Sequence, residues 1–382
     1  MTILHTFISP RRYAQGADAL TEIGMLIQPL GKTAFVLYDC AAIDLWARHV
    51  RPALVIAGLY VSGTEFAGEC TQAEVDRVRT AARVMRADII IGLGGGKAID
   101  TAKAVADDLG AALAIVPTLA STNAPTSSFA AIAADNGIFD HYRFCRHNPD
   151  LVLVDTQVIA DGPVRPFIAG IGNALGTWFE ARAIAQSYAT TMAGGWQTVA
   201  ASALSRACWD TIRVYSVDAI AAVRAHRVTD AVEKVVEANT LLSGLGFESG
   251  GLAAAHAIHN GLIALPETHE MWHGEKIAFG TLVLLELEKH NTEDRRDVLD
   301  FCLAVGLPVC FADLGVPNIT PAQIATVAER ALATGETIYN EPCTLSPETV
   351  IEALRSADAR GRAATAVTAL HEGSGRRVPV RV

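Results

Sequence analysis

His256, His259, His269 and His273 fall within one short stretch of a 382-residue chain that has eleven histidines in all. Neutral imidazole is the commonest nitrogen ligand for zinc. His256 and His259 stand at i, i+3 and share a helix face, and His269 and His273 stand at i, i+4. The pattern is not HExxH, which disfavours a metalloprotease. On chemistry alone, any two of the four can bind a metal. A catalytic zinc site commonly takes three protein ligands and leaves a position open for substrate, so a third donor must come from elsewhere. In the segment Gly170-Ile171-Gly172-Asn173-Ala174-Leu175-Gly176, Asn173 is the one side chain with a donor oxygen.

A second constellation lies earlier. The apolar run Ala87 to Leu93 leads into Gly94-Gly95-Gly96-Lys97, and a helical stretch, Ala98 to Lys103, follows. Three glycines after a strand let the backbone turn sharply and come close to a ligand. A helix that starts there offers unpaired N–H groups and a positive dipole end to a phosphate. The loop is neither GxGxxG nor GxxxxGK[ST]. Asp39 follows the strand ending at Tyr38. A carboxylate there can accept hydrogen bonds from an adenosine ribose and would repel a 2′-phosphate, which favours NAD over NADP. The hydroxyl-rich stretch Pro117 to Phe129 follows another apolar run, at the strand end where open α/β sheets bind ligands.

These residues need a scaffold. Continuous apolar runs at 34–38, 53–57, 88–92, 114–117 and 151–155 read as buried parallel strands. Helical patterns lie between them, as at 71–85. Past Asp161-Gly162-Pro163, Ala-rich stretches at 172–187, 197–215 and 230–242 read as helices and strand-like runs almost vanish. The expected fold is an α/β dinucleotide-binding domain with a parallel sheet over 1–162, then an all-α metal- and substrate-binding domain over 163–382. A chain of this length is too long for one ordinary core.

Composition closes off other classes. Hydrophobic residues make up 51% and charged residues 19%, which excludes a disordered chain. A formal net charge of −10 argues against general affinity for nucleic acid. No apolar run is long enough to span a bilayer, and the start, Met1 to His5, lacks a secretory signal pattern. A cytoplasmic protein without membrane or nucleic-acid partners is expected. The seven cysteines form no CxxC pair and read as buried free thiols.

Taken together, these segments resemble the glycerol dehydrogenase type of the iron-containing, or group III, alcohol dehydrogenase superfamily, with its dehydroquinate synthase-like fold. The resemblance runs through Tyr13-Ala14-Gln15-Gly16, GGGKAIDTAK at 94–103, PTLAST at 117–122, NPDLVLVDTQVIA at 148–160, GIGNALGTWFEAR at 170–182, GLGFESGGLAAAHAIHNGL at 244–262 and HGEKIAFGTL at 273–282. It implies an NAD-dependent, metal-assisted oxidation of glycerol, or a related small polyol, to the hydroxyketone by hydride transfer. It implies Asp39 as ribose ligand and Gly94, Gly95, Gly96 and Lys97 at the pyrophosphate. Asp100, Thr118, Ser121, Ser127 and Phe129 fall on cofactor-lining positions. His256 and His273 match ligands of a zinc or iron ion, and His259 and His269 are left for supporting or proton-handling roles. Homo-oligomers are common in the family, and octamers fit its glycerol dehydrogenases.

Three positions depart from the family pattern. Asn173 stands where the family has an aspartate metal ligand, Asn123 where it has an aspartate in the substrate loop, and Ala133 where it has a tyrosine near the nicotinamide. With Asn173 the protein ligands are all neutral, so metal affinity should fall. Asn123 donates as well as accepts hydrogen bonds, which alters which polyol fits. Other readings on the same fold are a dehydrogenase of a different short-chain polyol, hydroxyketone or amino alcohol, and a carbon–oxygen lyase. The lyase lacks the Lys and Arg cluster it needs. The loss of the metal carboxylate also admits a metal-poor NAD-binding protein without catalysis.

Overall fold

A computed structural model describes residues 4–373 apart from 136, 138, 290 and 291, with side chains described as far as 367. Met1–Ile3 and the final nine residues, which the expected domain limits include, lie outside that set. Among the described residues there are eight strands: β1 (Tyr13–Gly16), β2 (Thr33–Tyr38), β3 (Tyr60–Glu65), β4 (Ile89–Gly94), β5 (Ala112–Pro117), β6 (Phe129–Ala133), β7 (Phe139–Phe144) and β8 (Leu151–Asp155). Six form one parallel sheet in the order β1-β8-β5-β4-β2-β3, and β6 and β7 pair antiparallel by themselves. Ile89, Ile90 and Ile91 of β4 and Val152 and Val154 of β8 are fully buried. Both faces of these strands are therefore covered, as a parallel sheet with flanking helices requires.

The run 53–57 is not a strand. It lies in the helix Arg51–Ile56, with Pro52 in its first turn. Leu54 is buried while Val55 and Ile56 are 54% and 87% exposed. Burial there follows one face of a helix, and apolar content alone does not separate that from a strand. The strand that follows is β3, which pairs with β2 at the sheet edge. Its sequence, Tyr-Val-Ser-Gly-Thr-Glu, carries too few apolar residues to announce it. The free cysteines also divide. Cys70, Cys208, Cys302 and Cys310 are buried, but Cys40 is exposed and Cys145 and Cys343 are half-buried.

The chain forms two compact units. One comprises Ile8–Phe167 with Ala221–Gly244, and the other Met1–Phe7, Ile168–Ile220 and Leu245–Val382. A single cut at 162/163 does not describe this division, because the segment 221–244 bonds to the α/β unit. Gln15 Nε2 donates to the Glu233 carbonyl (2.8 Å), Thr156 Oγ1 to Glu233 Oε1 (2.6 Å), and Asn239 Nδ2 to the Ala120 carbonyl (3.0 Å). Tyr13 Oη bonds Thr240 Oγ1 at 2.7 Å.

The other unit is built from helices. Among the described residues no named strand follows β8. Small residues set its close approaches. A Cβ on Gly172 would lie 2.4 Å from the Gly274 carbonyl oxygen, and one on Gly280 would lie 2.4 Å from that of Ala255. Among the described residues no helix is long and apolar enough to cross a membrane.

Candidate active site

In the α/β unit, β4 ends at the triple glycine and the helix Gly96–Leu109 starts without a side-chain cap. Its leading N–H groups take no bond from a capping side chain, the condition under which a helix start can receive an anion. Asp39 Oδ2 accepts the Gly95 N–H at 2.6 Å. A Cβ on Gly94 would sit 2.3 Å from that same oxygen, so glycine is required at 94 by the approach of Asp39. A Cβ on Gly92 would lie 2.8 Å from Ala102 Cβ, so the strand and the helix are in direct contact there. The Thr118 N–H donates to the Gly94 carbonyl (3.1 Å), which anchors the hydroxyl-rich loop to the glycine turn. Ser121 is buried in that loop. Lys97 is exposed and ion-paired with Glu69.

Asp100, Ser127 and Phe129 meet around a residue that sequence reasoning passed over. The side chain of Lys103 is 1% exposed, and its Nζ lies 3.2 Å from Asp100 Oδ1, 2.9 Å from Ser127 Oγ and 2.8 Å from the Phe129 carbonyl. Asp100 Oδ2 accepts the Ala131 N–H at 3.1 Å. Burial raises the Asp100 pKa, against the lowering effect of Lys103 and the Ala131 N–H. These polar groups are thus spent on fixing β6 and its approach loop. The ring of Phe129 packs on Tyr142 and Phe144. The signal for Lys103 was its i, i+3 spacing from Asp100 on one helix face. Ala133 ends β6 at a bulge, its N–H donating to the Cys70 carbonyl. Asn123 is buried, and its Nδ2 donates to Ser243 Oγ at 3.3 Å.

In the helical unit three of the four histidines come together. The rings of His256 and His273 are 5.6 Å apart and those of His259 and His273 4.3 Å apart. His256 and His259 lie on the helix Ala254–Leu262, and His273 opens the helix His273–Glu288. Between these helices Lys276 Nζ donates to the carbonyls of Thr268 and Met271 and ties down the connecting loop. His269 is exposed and bonds the Ile263 carbonyl instead, at 2.9 Å.

Hydrogen-bond partners assign the ring protons. Asn260 Nδ2 donates to Glu336 Oε2 (2.9 Å), which turns Asn260 Oδ1 toward His259 Nδ1 (3.0 Å). That nitrogen donates, so His259 Nε2 accepts from His273 Nδ1 at 2.8 Å. The lone pair of His273 is then on Nε2. On the other side, His256 Nδ1 donates to Glu180 Oε2 at 2.6 Å. Its lone pair is also on Nε2. Burial lowers the pKa of His259 to about 3, helped by the Lys276 charge. Burial, with His259, His256 and Lys276 opposing any added positive charge, holds His273 well below the ordinary histidine range. His259 and His273 are thus held neutral, and a neutral imidazole at His273 is the form that ligates a metal.

Asn173 lies on the helix Val164–Ser187, one turn after Ala169. A Cβ on Gly274 would lie 1.7 Å from the Ala169 carbonyl oxygen and 2.8 Å from the Asn173 nitrogen, which brings this turn against the residue following His273. The Asn173 amide is fully buried, and neither Oδ1 nor Nδ2 has a partner. An unsatisfied buried polar group costs about 1–3 kcal/mol. A cation beside the carbonyl oxygen would satisfy Oδ1, and a donor set of one amide oxygen and two imidazoles fits a divalent metal. No group of three or more His, Cys, Asp or Glu placed to hold a metal occurs among the described residues. Glu180, Asn260 and Glu336 were missed by sequence reading. Glu180 stands seven residues after Asn173, two turns along the same face, which was the available signal.

A family profile described as iron-containing alcohol dehydrogenase matches residues 10–156. Glycerol dehydrogenase from Escherichia coli O6:H1 is 48% identical over 354 residues, covering 93% of this chain and 96% of that protein. The chain belongs to the iron-containing alcohol dehydrogenase family. It is an oxidoreductase of that family. A glycolaldehyde reductase from Halobacterium salinarum is 44% identical, over 93% of this chain and 98% of that one. The crystal structure of glycerol dehydrogenase from Schizosaccharomyces pombe superposes with a TM-score of 0.92 at 38% identity, covering 99% of this chain and 96% of that one. The expected two-part fold of the iron-containing alcohol dehydrogenases is the fold observed.

Proposed function

We propose that the chain oxidises glycerol or a related small polyol to the hydroxyketone, dihydroxyacetone in the case of glycerol, with NAD and a divalent metal. The observation that carries this reading is the approach of the His256 and His273 rings to 5.6 Å with Nδ1 of each taken up by a neighbour, together with the unsatisfied Asn173 amide on the helix turn packed against Gly274. His256 and His273 would hold the ion through Nε2 and Asn173 through Oδ1. Zinc or ferrous iron at these donors would supply Lewis acidity to a substrate hydroxyl. NAD would supply the hydride acceptor.

The α/β unit contributes binding. The free N–H groups after the triple glycine take the pyrophosphate, and Lys97 joins them once released from Glu69. Asp39 keeps Oδ1 for the ribose while Oδ2 holds Gly95. Thr118 and Ser121 line the approach. Asp100, Ser127 and Phe129 act indirectly, by fixing the loop through Lys103. Asn123 has its amide orientation set by Ser243, which leaves Oδ1 to accept from a substrate hydroxyl. In the helical unit His259 orients His273. Both its ring nitrogens are engaged, so a proton path through it requires that bond to open. The exposed His269 is the other candidate for passing a proton to water.

Initial rates of NAD reduction on a panel of glycerol, short diols and simple alcohols, with and without added zinc, test the proposal. A preference for glycerol or a short diol that needs metal supports it. Rates that are indifferent to chelation, or equal on simple alcohols, oppose it. A second reading is favoured by Asn123 and by the glycolaldehyde reductase relative: reduction of a small hydroxyaldehyde or hydroxyketone. Rates in the reverse direction on those carbonyls separate the two.

A further inference from the structure

Glu180 makes more bonds than a helix-surface carboxylate needs. Its Oε1 accepts the backbone N–H groups of Ala253 (2.9 Å) and His256 (3.0 Å), and its Oε2 accepts the His256 ring at 2.6 Å. It is 0% exposed. Ala253 is the residue before the helix Ala254–Leu262 and has no side-chain oxygen to cap it. Glu180 therefore caps that helix from a different one, Val164–Ser187, and in the same stroke sets the rotation of the ring. Glu341 Oε1 takes the next N–H, that of Ala254, at 2.8 Å.

The spacing has a consequence for the metal donors. Asn173 and Glu180 project from one face of Val164–Ser187, with Gly176 between them. A Cβ on Gly176 would lie 2.9 Å from Ile277 Cγ2, so the helix that begins at His273 is in direct contact with this face. One helix thus carries a neutral buried amide on the turn packed against Gly274 and an acidic group behind the ring of His256.

We propose that Glu180 is the positioning residue of the metal site: it locks His256 in the tautomer with hydrogen on Nδ1 and lends that ring the negative character the neutral Asn173 does not bring. This deepens the metal reading above and rests on it. A carboxylate behind a ligating imidazole fixes the ring and raises its basicity, and losing such a partner typically weakens metal binding about 10- to 100-fold. The logic of the amide substitution is specific. Glutamine has one acceptor where Glu180 uses two. With its oxygen kept on the two backbone N–H groups, its NH2 faces His256 Nδ1. The ring must then accept there and carry its proton on Nε2, the atom the cation needs.

The test is Co2+ binding to the purified full chain, read by the visible absorption of bound cobalt, for wild type, Glu180→Gln and Glu180→Asp. NAD affinity by fluorescence quenching and the melting temperature are read alongside. Aspartate keeps both acceptor oxygens but is shorter, and glutamine keeps the size but loses an acceptor. The proposal expects affinity in the order wild type, Asp, Gln, with Gln down about 10- to 100-fold and NAD affinity unchanged. A packing role reverses the last two. Should the Gln variant fail to fold, the Asp variant decides: weakened cobalt binding with unchanged melting temperature and NAD affinity supports the proposal, and wild-type cobalt binding, or a loss accompanied by a lowered melting temperature, overturns it. A wild type that takes up no cobalt overturns the metal reading and this inference with it. A wild type and a Glu180→Gln variant that bind cobalt equally overturn the role of Glu180 alone.

Discussion

The Gly95 N–H donates to Asp39 Oδ2 at 2.6 Å, joining the end of β2 to the turn after β4. The carboxylate occupies the space a side chain at Gly94 would need. Gly94→Ala should therefore push Asp39 aside, costing about 1–3 kcal/mol of stability and most of the NAD affinity. Thermal melting and NAD titration by fluorescence measure the two losses. An alanine variant that binds NAD as wild type does would place the dinucleotide elsewhere.

Lys103 is buried in the α/β unit, where its Nζ lies 3.2 Å from Asp100 Oδ1. Lys103→Met removes the charge and leaves Asp100 uncompensated. Breaking a buried pair this way costs about 3–5 kcal/mol. Urea unfolding should show a loss of that order, with the double variant Lys103→Met/Asp100→Asn recovering part of it. Equal stability of the single and double variants would show that the pair is not coupled.

The buried Asn173 amide has no partner at either Oδ1 or Nδ2. With residue 173 in the ligand set, Asn173→Asp adds the charge the amide lacks, and metal affinity should rise at least about tenfold, equivalent to ~1.4 kcal/mol. Competition with a chromophoric chelator reads this directly. Without metal the same variant buries a bare carboxylate and should melt at a lower temperature than wild type. An aspartate variant with unaltered affinity would remove residue 173 from the ligand set.

Glu341 gives a pH signature. Burial, aided by Glu288 and Glu180, raises its pKa from 4.5 to about 8, against the Ala254 N–H and Arg182. The folded state then keeps a proton that the unfolded chain releases. The contribution of this group to stability is full below about pH 4.5 and is lost as pH rises through about 8. A tenfold difference in proton affinity between the folded and unfolded states corresponds to ~1.4 kcal/mol. Glu341→Gln cannot ionise, so relative to wild type it should gain stability between pH 5 and pH 8, by roughly a few kcal/mol. Melting curves of both proteins across that range test the sign. A difference that stays constant with pH would refute it.

The sheet was legible where strands are apolar throughout, as in β2, β4, β5 and β8, since period and length there agree. The edge strands β1 and β3 were not, because an edge tolerates Gln, Ser, Gly and Thr, and the amphipathic helix at 51–56 imitated a strand. The donors His256 and His273 stand out by residue type. Which nitrogen each offers was hidden, because it depends on Glu180, Asn260 and Glu336, which lie up to 76 residues away in the chain. The segment 221–244 reads as one more helix of the second half. Its membership in the α/β unit rests on single bonds such as Gln15 to Glu233, which leave no periodic trace.

The metal pair carries the whole account, and one comparison probes it most directly. Wild type, His256→Ala and His273→Ala are dialysed against zinc, freed of excess, and assayed for bound zinc and for glycerol-dependent NADH formation. The account expects about one zinc per chain in wild type, with both alanine variants losing the metal and most of the activity. A lost Lewis acid is worth several kcal/mol, or about a thousandfold in rate. A His273→Ala chain that keeps wild-type zinc and wild-type turnover would contradict it.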